Sequence, residues 1–140
     1  MKLTTCISAG VFIFLSAWVL KTKEANEQSG SLYDTKWSLK RIQSDNTTHD
    51  VTGKAFIKFN DEKNSAGGNG GCNTFGSTLT TSGNNLHLTN IFSTKMYCEG
   101  IQQTEDLFLK YLAQVTRYDI KGKTLSLYKD KELLLELAEE

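Results

Sequence analysis

Apolar and polar positions alternate along the first part of the chain that follows residue 36. Residues 37–42 (WSLKRI) nearly alternate, and residues 55–59 (AFIKF) place Ala55, Ile57 and Phe59 between polar or outward-facing neighbours. A period of two is typical of half-buried β-strands. The pattern therefore predicts two early strands, and the polar residues 44–50 between them predict a turn-forming loop.

The same alternation returns later in the chain. Residues 78–80 and 86–91 predict a hairpin with its turn at residues 82–84, and the segment after residue 117 predicts three short strands separated by turns at 121–123 and 129–131. Residues 66–73 are rich in glycine, which permits close approach of backbones in a bulged or strongly curved strand. The three strands after residue 117 predict that the domain closes with an antiparallel meander.

One segment has helical rather than strand periodicity. Leu107, Phe108, Tyr111 and Leu112 recur at helical spacing, which predicts a helix that begins near Ile101. Its acidic residues Glu105 and Asp106 lie in the early turns, where the partial positive charge of a helix start favours carboxylates. They are interpreted as surface residues.

These elements predict an α+β domain that is mainly antiparallel β, with a small curled sheet or partly open barrel and one packed helix. The aromatic residues are dispersed rather than gathered among basic ones, so we expect a core role for all seven: Phe59, Phe75, Phe92, Tyr97, Phe108, Tyr111 and Tyr118. A stacking platform for single-stranded nucleic acid is not predicted.

The net charge of the chain does not indicate a partner. The 140 residues contain 16 basic and 16 acidic side chains, so no overall field would attract nucleic acid or an anionic membrane. We predict no nucleic-acid partner and no cofactor. Catalysis is not expected either, because no nucleophile motif, paired-acid motif or dinucleotide fingerprint occurs.

The N-terminus differs from the rest of the chain. Residues 6–20 (CISAGVFIFLSAWVL) form an uncharged apolar run behind Lys2, which favours a signal peptide. An uncleaved anchor over residues 3–20 and a buried core helix are the alternatives, and membrane contact is expected only through an uncleaved segment. We divide the chain into a signal peptide or anchor (1–22), a flexible linker (23–33) and a folded domain (34–140).

Two cysteines, Cys72 and Cys98, lie outside the apolar N-terminal run. Export to an oxidising compartment makes a disulfide between them the leading hypothesis, and two buried free thiols are the main alternative. A metal site is not predicted, because His49 and His87 are scattered and the cysteines lack metal-ligand spacing.

An ordered series of short motifs in this domain resembles the META domain of HslJ-like proteins. The matching segments are Trp37-Ser38-Leu39, Gly71-Cys72-Asn73, Ser93 to Cys98, Glu105, and Tyr118 to Leu127. The family-motif residues of interest are Trp37, Gly71, Cys72, Asn73, Ser93, Thr94, Met96, Cys98 and Glu105. The resemblance covers almost all of residues 34–137.

The resemblance implies a β-rich fold, an exported protein of the periplasm or cell envelope, and a role in stress tolerance without a known reaction. Together with the export signal and the lack of a catalytic motif, the resemblance leads us to expect an unknown envelope protein or surface component as the partner. A small-ligand or enzyme-inhibitor module, built on the curled sheet, is the alternative. If Cys72 and Cys98 pair, Asn73, Ser93 and Thr94 lie together, either as braces at strand ends or as a recognition surface. We favour braces, because short polar side chains beside glycine commonly satisfy backbone groups at turns.

Overall fold

The computed structural model describes residues 30–140. The predictions for residues 1–29, which are the signal peptide or anchor and most of the linker, lie outside the described residues. The elements of the described part, in chain order, are β1 (Trp37–Ser44), β2 (Thr47–Asp50), β3 (Phe56–Asn60), β4 (Ser65–Asn69), β5 (Thr74–Ser82), β6 (Asn85–Ser93), α1 (Gln102–Leu112), β7 (Arg117–Lys121), β8 (Thr124–Lys129) and β9 (Glu132–Glu139).

The strands form one antiparallel sheet in the order β2-β1-β3-β4-β5-β6-β7-β8-β9. An additional pairing of β1 with β9 brings the two ends of the sheet together, with Trp37 opposite Glu139 and Ile42 opposite Leu135. Closure of this kind removes the long open edges that would otherwise template aggregation. The sheet therefore curls around a single interior.

The pairing between neighbouring strands is shortest between β6 and β7. Strands β6 and β7 share one residue pair, Asn85 with Arg117, whereas β5 and β6 pair over most of their length. The chain of α1 lies between β6 and β7 in sequence, so the helix replaces a direct hairpin at this junction. The predicted fold class, mainly antiparallel β in a curled sheet with one packed helix, is confirmed.

The prediction of a loop over residues 44–50 is wrong in part. Asp45 and Asn46 form a tight turn with positive φ angles of 47° and 61°, and β2 follows directly, paired with the end of β1. Aspartate and asparagine tolerate this left-handed backbone, which suits two-residue hairpins. The strand was missed because all four of its residues are polar and exposed, so it has no apolar alternation.

The helix places one face on the sheet, as its periodicity predicts. Phe108 and Leu112 are fully buried, and the ring of Phe108 meets that of Phe75 edge to face at 5.8 Å. Such an aromatic pair contributes beyond its buried area. Helix α1 ends at Leu112, and the nearby Val115 is buried in the turn that follows it.

The core also includes residues before β1. Leu32 is only 4% exposed, and its carbonyl oxygen accepts a hydrogen bond of 3.1 Å from the indole Nε1–H of Trp37. Trp37 has no exposed surface, so this bond satisfies a polar group that would otherwise be buried without a partner. The family-motif tryptophan is thus a fully buried core residue.

The glycine-rich strand β4 lies between β3 and β5, where the backbones approach closely. A Cβ atom at Gly68 would lie 2.0 Å from the carbonyl oxygen of Phe56, and one at Gly67 would lie 2.7 Å from that of Phe75. The obstructing atoms are backbone, so they cannot rotate away as a side chain would. Glycine is required here by the spacing between strands, as the sequence interpretation proposed.

We predict that Gly68→Ala lowers the free energy of unfolding by about 2 to 3 kcal/mol, because the added methyl group separates β3 from β4. The measurement is urea denaturation at pH 7 with the disulfide intact. Gly53→Ala is the matched control, since its nearest neighbour would be 3.9 Å away, and it should change stability by about 0.5 kcal/mol or less. Equal effects of the two substitutions would contradict the crowding argument.

Candidate functional site

Most of the family-motif residues lie in or contact the turn between β4 and β5, which we call the braced turn. Gly71 has a φ of 121°, and its N–H donates a 2.7 Å hydrogen bond to the side-chain oxygen of Asn69. The N–H of Gly70 donates to the carbonyl oxygen of Asn73 at 2.8 Å. A Cβ atom at Gly70 would lie 2.6 Å from the side chain of Glu105, so this turn is shaped to admit a carboxylate.

Glu105 reaches from α1 into that turn. Its Oε2 accepts hydrogen bonds from the backbone N–H groups of Cys72 (3.0 Å) and Asn73 (2.6 Å), and its Oε1 accepts one from the Asn73 side-chain amide (2.5 Å). The residue is only 2% exposed. The interpretation of Glu105 as a solvated helix-start residue is therefore wrong, because it is a buried brace for the turn.

Two opposing effects set the pKa of Glu105. Burial raises the pKa, but the hydrogen bonds from Asn73 and Cys72 and the positive charge of Lys95 stabilise the carboxylate. The net result is a pKa below the ordinary value for glutamate. At neutral pH, Glu105 is thus an ionised acceptor for three donors.

Asn73 connects the turn to the segment that follows β6. Its side-chain amide donates to the carbonyl oxygen of Met96 at 2.9 Å, while its Oδ1 accepts from the Thr94 hydroxyl at 2.8 Å and from the Met96 N–H at 2.7 Å. Asn73 is 2% exposed, and both ends of its amide are satisfied. Asn73 and Thr94 are therefore arranged as braces.

A disulfide between Cys72 and Cys98 crosses the same place, with the two Cα atoms 5.9 Å apart. The leading hypothesis for these cysteines is confirmed, and neither is a free thiol. The carbonyl oxygen of Cys98 accepts from the N–H groups of Ile101 and Gln102, which begin the helix. The bond therefore joins the β4–β5 turn to the start of α1.

The structure brings together most of the residues singled out from the motifs. The residues gathered around the turn are Gly71, Cys72, Asn73, Thr94, Met96, Cys98 and Glu105. Ser93 is paired with Phe75 at the end of the β5–β6 ladder, next to this group. Trp37 is apart from it, in the core.

Residues 92–101 carry four large apolar side chains that are exposed. Phe92 is 71% exposed, Met96 60%, Tyr97 78% and Ile101 39%, and we call these four residues the apolar patch. The prediction that all the aromatics are core residues is therefore wrong for Phe92 and Tyr97. Phe59, Phe75, Phe108 and Tyr111 are buried, and Tyr118 is half-buried.

A bulge in β6 explains why Phe92 faces outward. Leu86 and Leu88 point into the core, so Phe92 would follow them by simple alternation. The pairing of β5 with β6 shifts between Gly76 and Thr78, and Asn90 has a φ of 52° in the same part of β6. An inserted residue exchanges the two faces of the strand beyond it. The available signal was Asn90 itself, a polar residue at a position where the alternation of Leu86 and Leu88 predicts an inward apolar side chain.

Neither a metal-binding cluster nor a membrane-spanning helix occurs among the described residues. Within residues 30–140, no group of three or more His, Cys, Asp and Glu side chains is placed to hold a metal ion. Over the same residues, no helix has the length and apolar character needed to cross a bilayer. What the β4–β5 turn provides is a set of hydrogen bonds and a disulfide that hold the segment with Met96 and Tyr97.

Comparisons with known proteins agree with this architecture. The structure is similar to an NMR structure of a protein from Burkholderia xenovorans, with a TM-score of 0.65, 21% identity, and coverage of 78% of this chain and 83% of that one. A second NMR structure has a TM-score of 0.57 at 18% identity, covering 74% and 88%. At these identities the likeness shows the fold alone.

No curated protein sequence matches the chain. The family model described as META domain matches residues 30–140, which contain the whole described fold and every motif residue of the braced turn. This chain belongs to the META domain family.

Proposed function

We propose that this chain is a non-enzymatic, exported protein of the cell envelope that supports stress tolerance by binding a protein or surface component through the apolar patch. Export is supported by the apolar run at residues 6–20 and by the disulfide, which is typical of oxidising compartments. The stress role rests on the family resemblance alone. The proposal of a non-enzymatic role rests on the lack of a recognisable catalytic motif in the sequence.

The apolar patch is the single observation that carries the binding proposal. Phe92, Met96 and Tyr97 each expose more than half of their surface within one short stretch of the chain, and grouped exposed apolar side chains often mark interaction sites. Tyrosine and methionine are also enriched at protein interfaces. Both belong to a segment held by Asn73 and the disulfide, so little ordering entropy would be lost on binding.

Crosslinking in cells tests this proposal. We predict that a photoreactive benzoylphenylalanine at Tyr97 forms a specific adduct, whereas the same probe at exposed Thr80 on β5 does not. Phe92→Ser combined with Met96→Ser should reduce the Tyr97 adduct at least about tenfold, since loss of two interface anchors costs more than 1.4 kcal/mol. Unchanged adduct yield in that variant, with unchanged thermal stability, would contradict the proposal.

Location is tested by the intact mass of the protein from fractionated cells, alkylated with and without prior reduction. A leader-free mass in the envelope fraction, with both thiols blocked until reduction, supports export and processing. A full-length mass in that fraction indicates an anchor. Recovery only from the cytoplasm with alkylated Cys72 and Cys98 contradicts the proposed location.

A small-ligand module is the second candidate, and one observation favours it. Two adjoining cavities of about 180 and 370 Å³ lie between the β2 region and α1, and Asp50, Val51 and Thr104 line both. Together they reach the size of ordinary small-molecule sites. A ligand retained in native mass spectrometry of the purified protein would favour this role over protein binding.

A further inference from the structure

A groove lies beside the apolar patch, between the segment after β6 and the face of α1. It encloses about 240 Å³, with Met96 and Tyr97 on one wall and Asp106 and Leu109 on the other. This volume is below the roughly 300 to 1,000 Å³ of sites that hold drug-sized molecules. It is suited to one long side chain that a partner inserts.

The charges that face this groove are unbalanced. Glu105 at its base and Asp106 on its wall are acidic, and Lys95 is the basic residue that lines it. The charge of Lys95 already stabilises the Glu105 carboxylate, whereas Asp106 takes part in no ion pair among residues 30–140. The carboxylate of Asp106 is exposed and accepts a hydrogen bond from the Gln102 side chain at 3.0 Å, so it remains open to a further donor.

The wall opposite Asp106 suits a cation with an apolar stem. Tyr97 is 78% exposed, and within the described chain no lysine or arginine lies over its ring, although Phe56, Tyr111 and Tyr128 each have such a neighbour. Aromatic faces attract ammonium and guanidinium groups. Long basic side chains also lay their methylene stems along apolar surface while the charged end stays in polar surroundings.

We infer that this groove is a socket for an arginine or lysine side chain of the partner, carried on a short segment whose apolar residues cover the patch. The basic head group reaches the Asp106 carboxylate, and its stem lies between Met96 and Leu109. The inference rests on the proposed function and specifies the chemistry of its partner.

The test uses the full chain in its host, with the photoreactive probe at Tyr97. Asp106→Lys should reduce the adduct at least about tenfold, because it replaces an attractive charge by a repulsive one. Asp61→Lys in the β3–β4 turn is the matched control, since it makes the same change of net charge at an exposed site, and it should leave the adduct unchanged. Thermal melting of both variants checks that each is folded.

The outcomes separate the two proposals. The crosslinked segment of the partner, identified by mass spectrometry, should contain an arginine or lysine within a few residues of the adduct. An adduct that survives Asp106→Lys, or a segment without a basic residue, overturns the socket and leaves protein binding in place. No adduct from Tyr97 at all overturns the binding proposal and the socket with it.

Discussion

Glu105→Gln is expected to lower the free energy of unfolding by about 3 kcal/mol at pH 7. The carboxylate accepts hydrogen bonds from two backbone N–H groups and one side-chain amide, all in a buried setting. Glutamine has nearly the same shape, but its NH₂ group would face these donors and leave at least one of them unsatisfied. The measurement is urea denaturation with the disulfide intact.

Asp106→Asn is the matched control, since this neighbouring residue on α1 is exposed and its carboxylate has one hydrogen-bond donor. Its effect should stay within about 0.5 kcal/mol. If the two substitutions destabilise the protein equally, then Glu105 is not the brace that its contacts indicate.

The effect of Glu105→Gln should also depend on pH. The pKa of Glu105 is lower in the folded protein than in the unfolded chain, where glutamate titrates at about 4.3. Its contribution to stability is therefore complete above about pH 5 and is lost as the pH falls through the lowered folded pKa. The stability difference between wild type and variant should shrink below about pH 4, and a difference independent of pH would contradict ionisation of Glu105.

Replacing both cysteines, Cys72→Ala with Cys98→Ala, is expected to lower the free energy of unfolding by about 3.5 kcal/mol. The bond spans 26 positions, and closing a loop of that length removes this much entropy from the unfolded chain in the loop-closure picture. The native turn should persist, because Asn73 and Glu105 hold the same segments by hydrogen bonds. Urea denaturation and the amide NMR signals of Asn73 and Met96 are the measurements.

Reduced wild-type protein provides the control for that experiment. Its stability should fall to that of the double variant, and a reductant should leave the variant unchanged. Loss of the Met96 and Asn73 amide signals in a folded variant would show that the disulfide, rather than the hydrogen bonds, positions the segment. The apolar patch would then depend on oxidation.

The sequence predicted the roles of some residues of the site and not of others. Asn73 and Thr94 could be expected as braces, because short polar residues beside glycines commonly satisfy turns. The inward direction of Glu105 could not, since its position early in a helix already had a sufficient explanation in the helix dipole. Only the approach of the Gly70 turn to α1 revealed the donors that Glu105 satisfies.

The sequence by itself determined the elements that depend on local pattern. Alternation predicted β1, β3, the β5–β6 hairpin and the closing meander, and helical spacing predicted α1, because burial of one face leaves its period in the chain. The order of the short motifs also indicated the META family. These patterns are local in the chain, so they can be recognised without knowing which residues are in contact in the folded protein.

The tertiary structure decided what depends on distant partners. The polar strand β2 exists because β1 pairs with it, and the bulge at Asn90 turns Phe92 out of the core that its alternation predicts. The disulfide forms because the β4–β5 turn and the start of α1 meet in space, although they are far apart in the chain. Contacts of this kind leave no period in a sequence, and they are the contacts that create the braced turn and its exposed apolar patch.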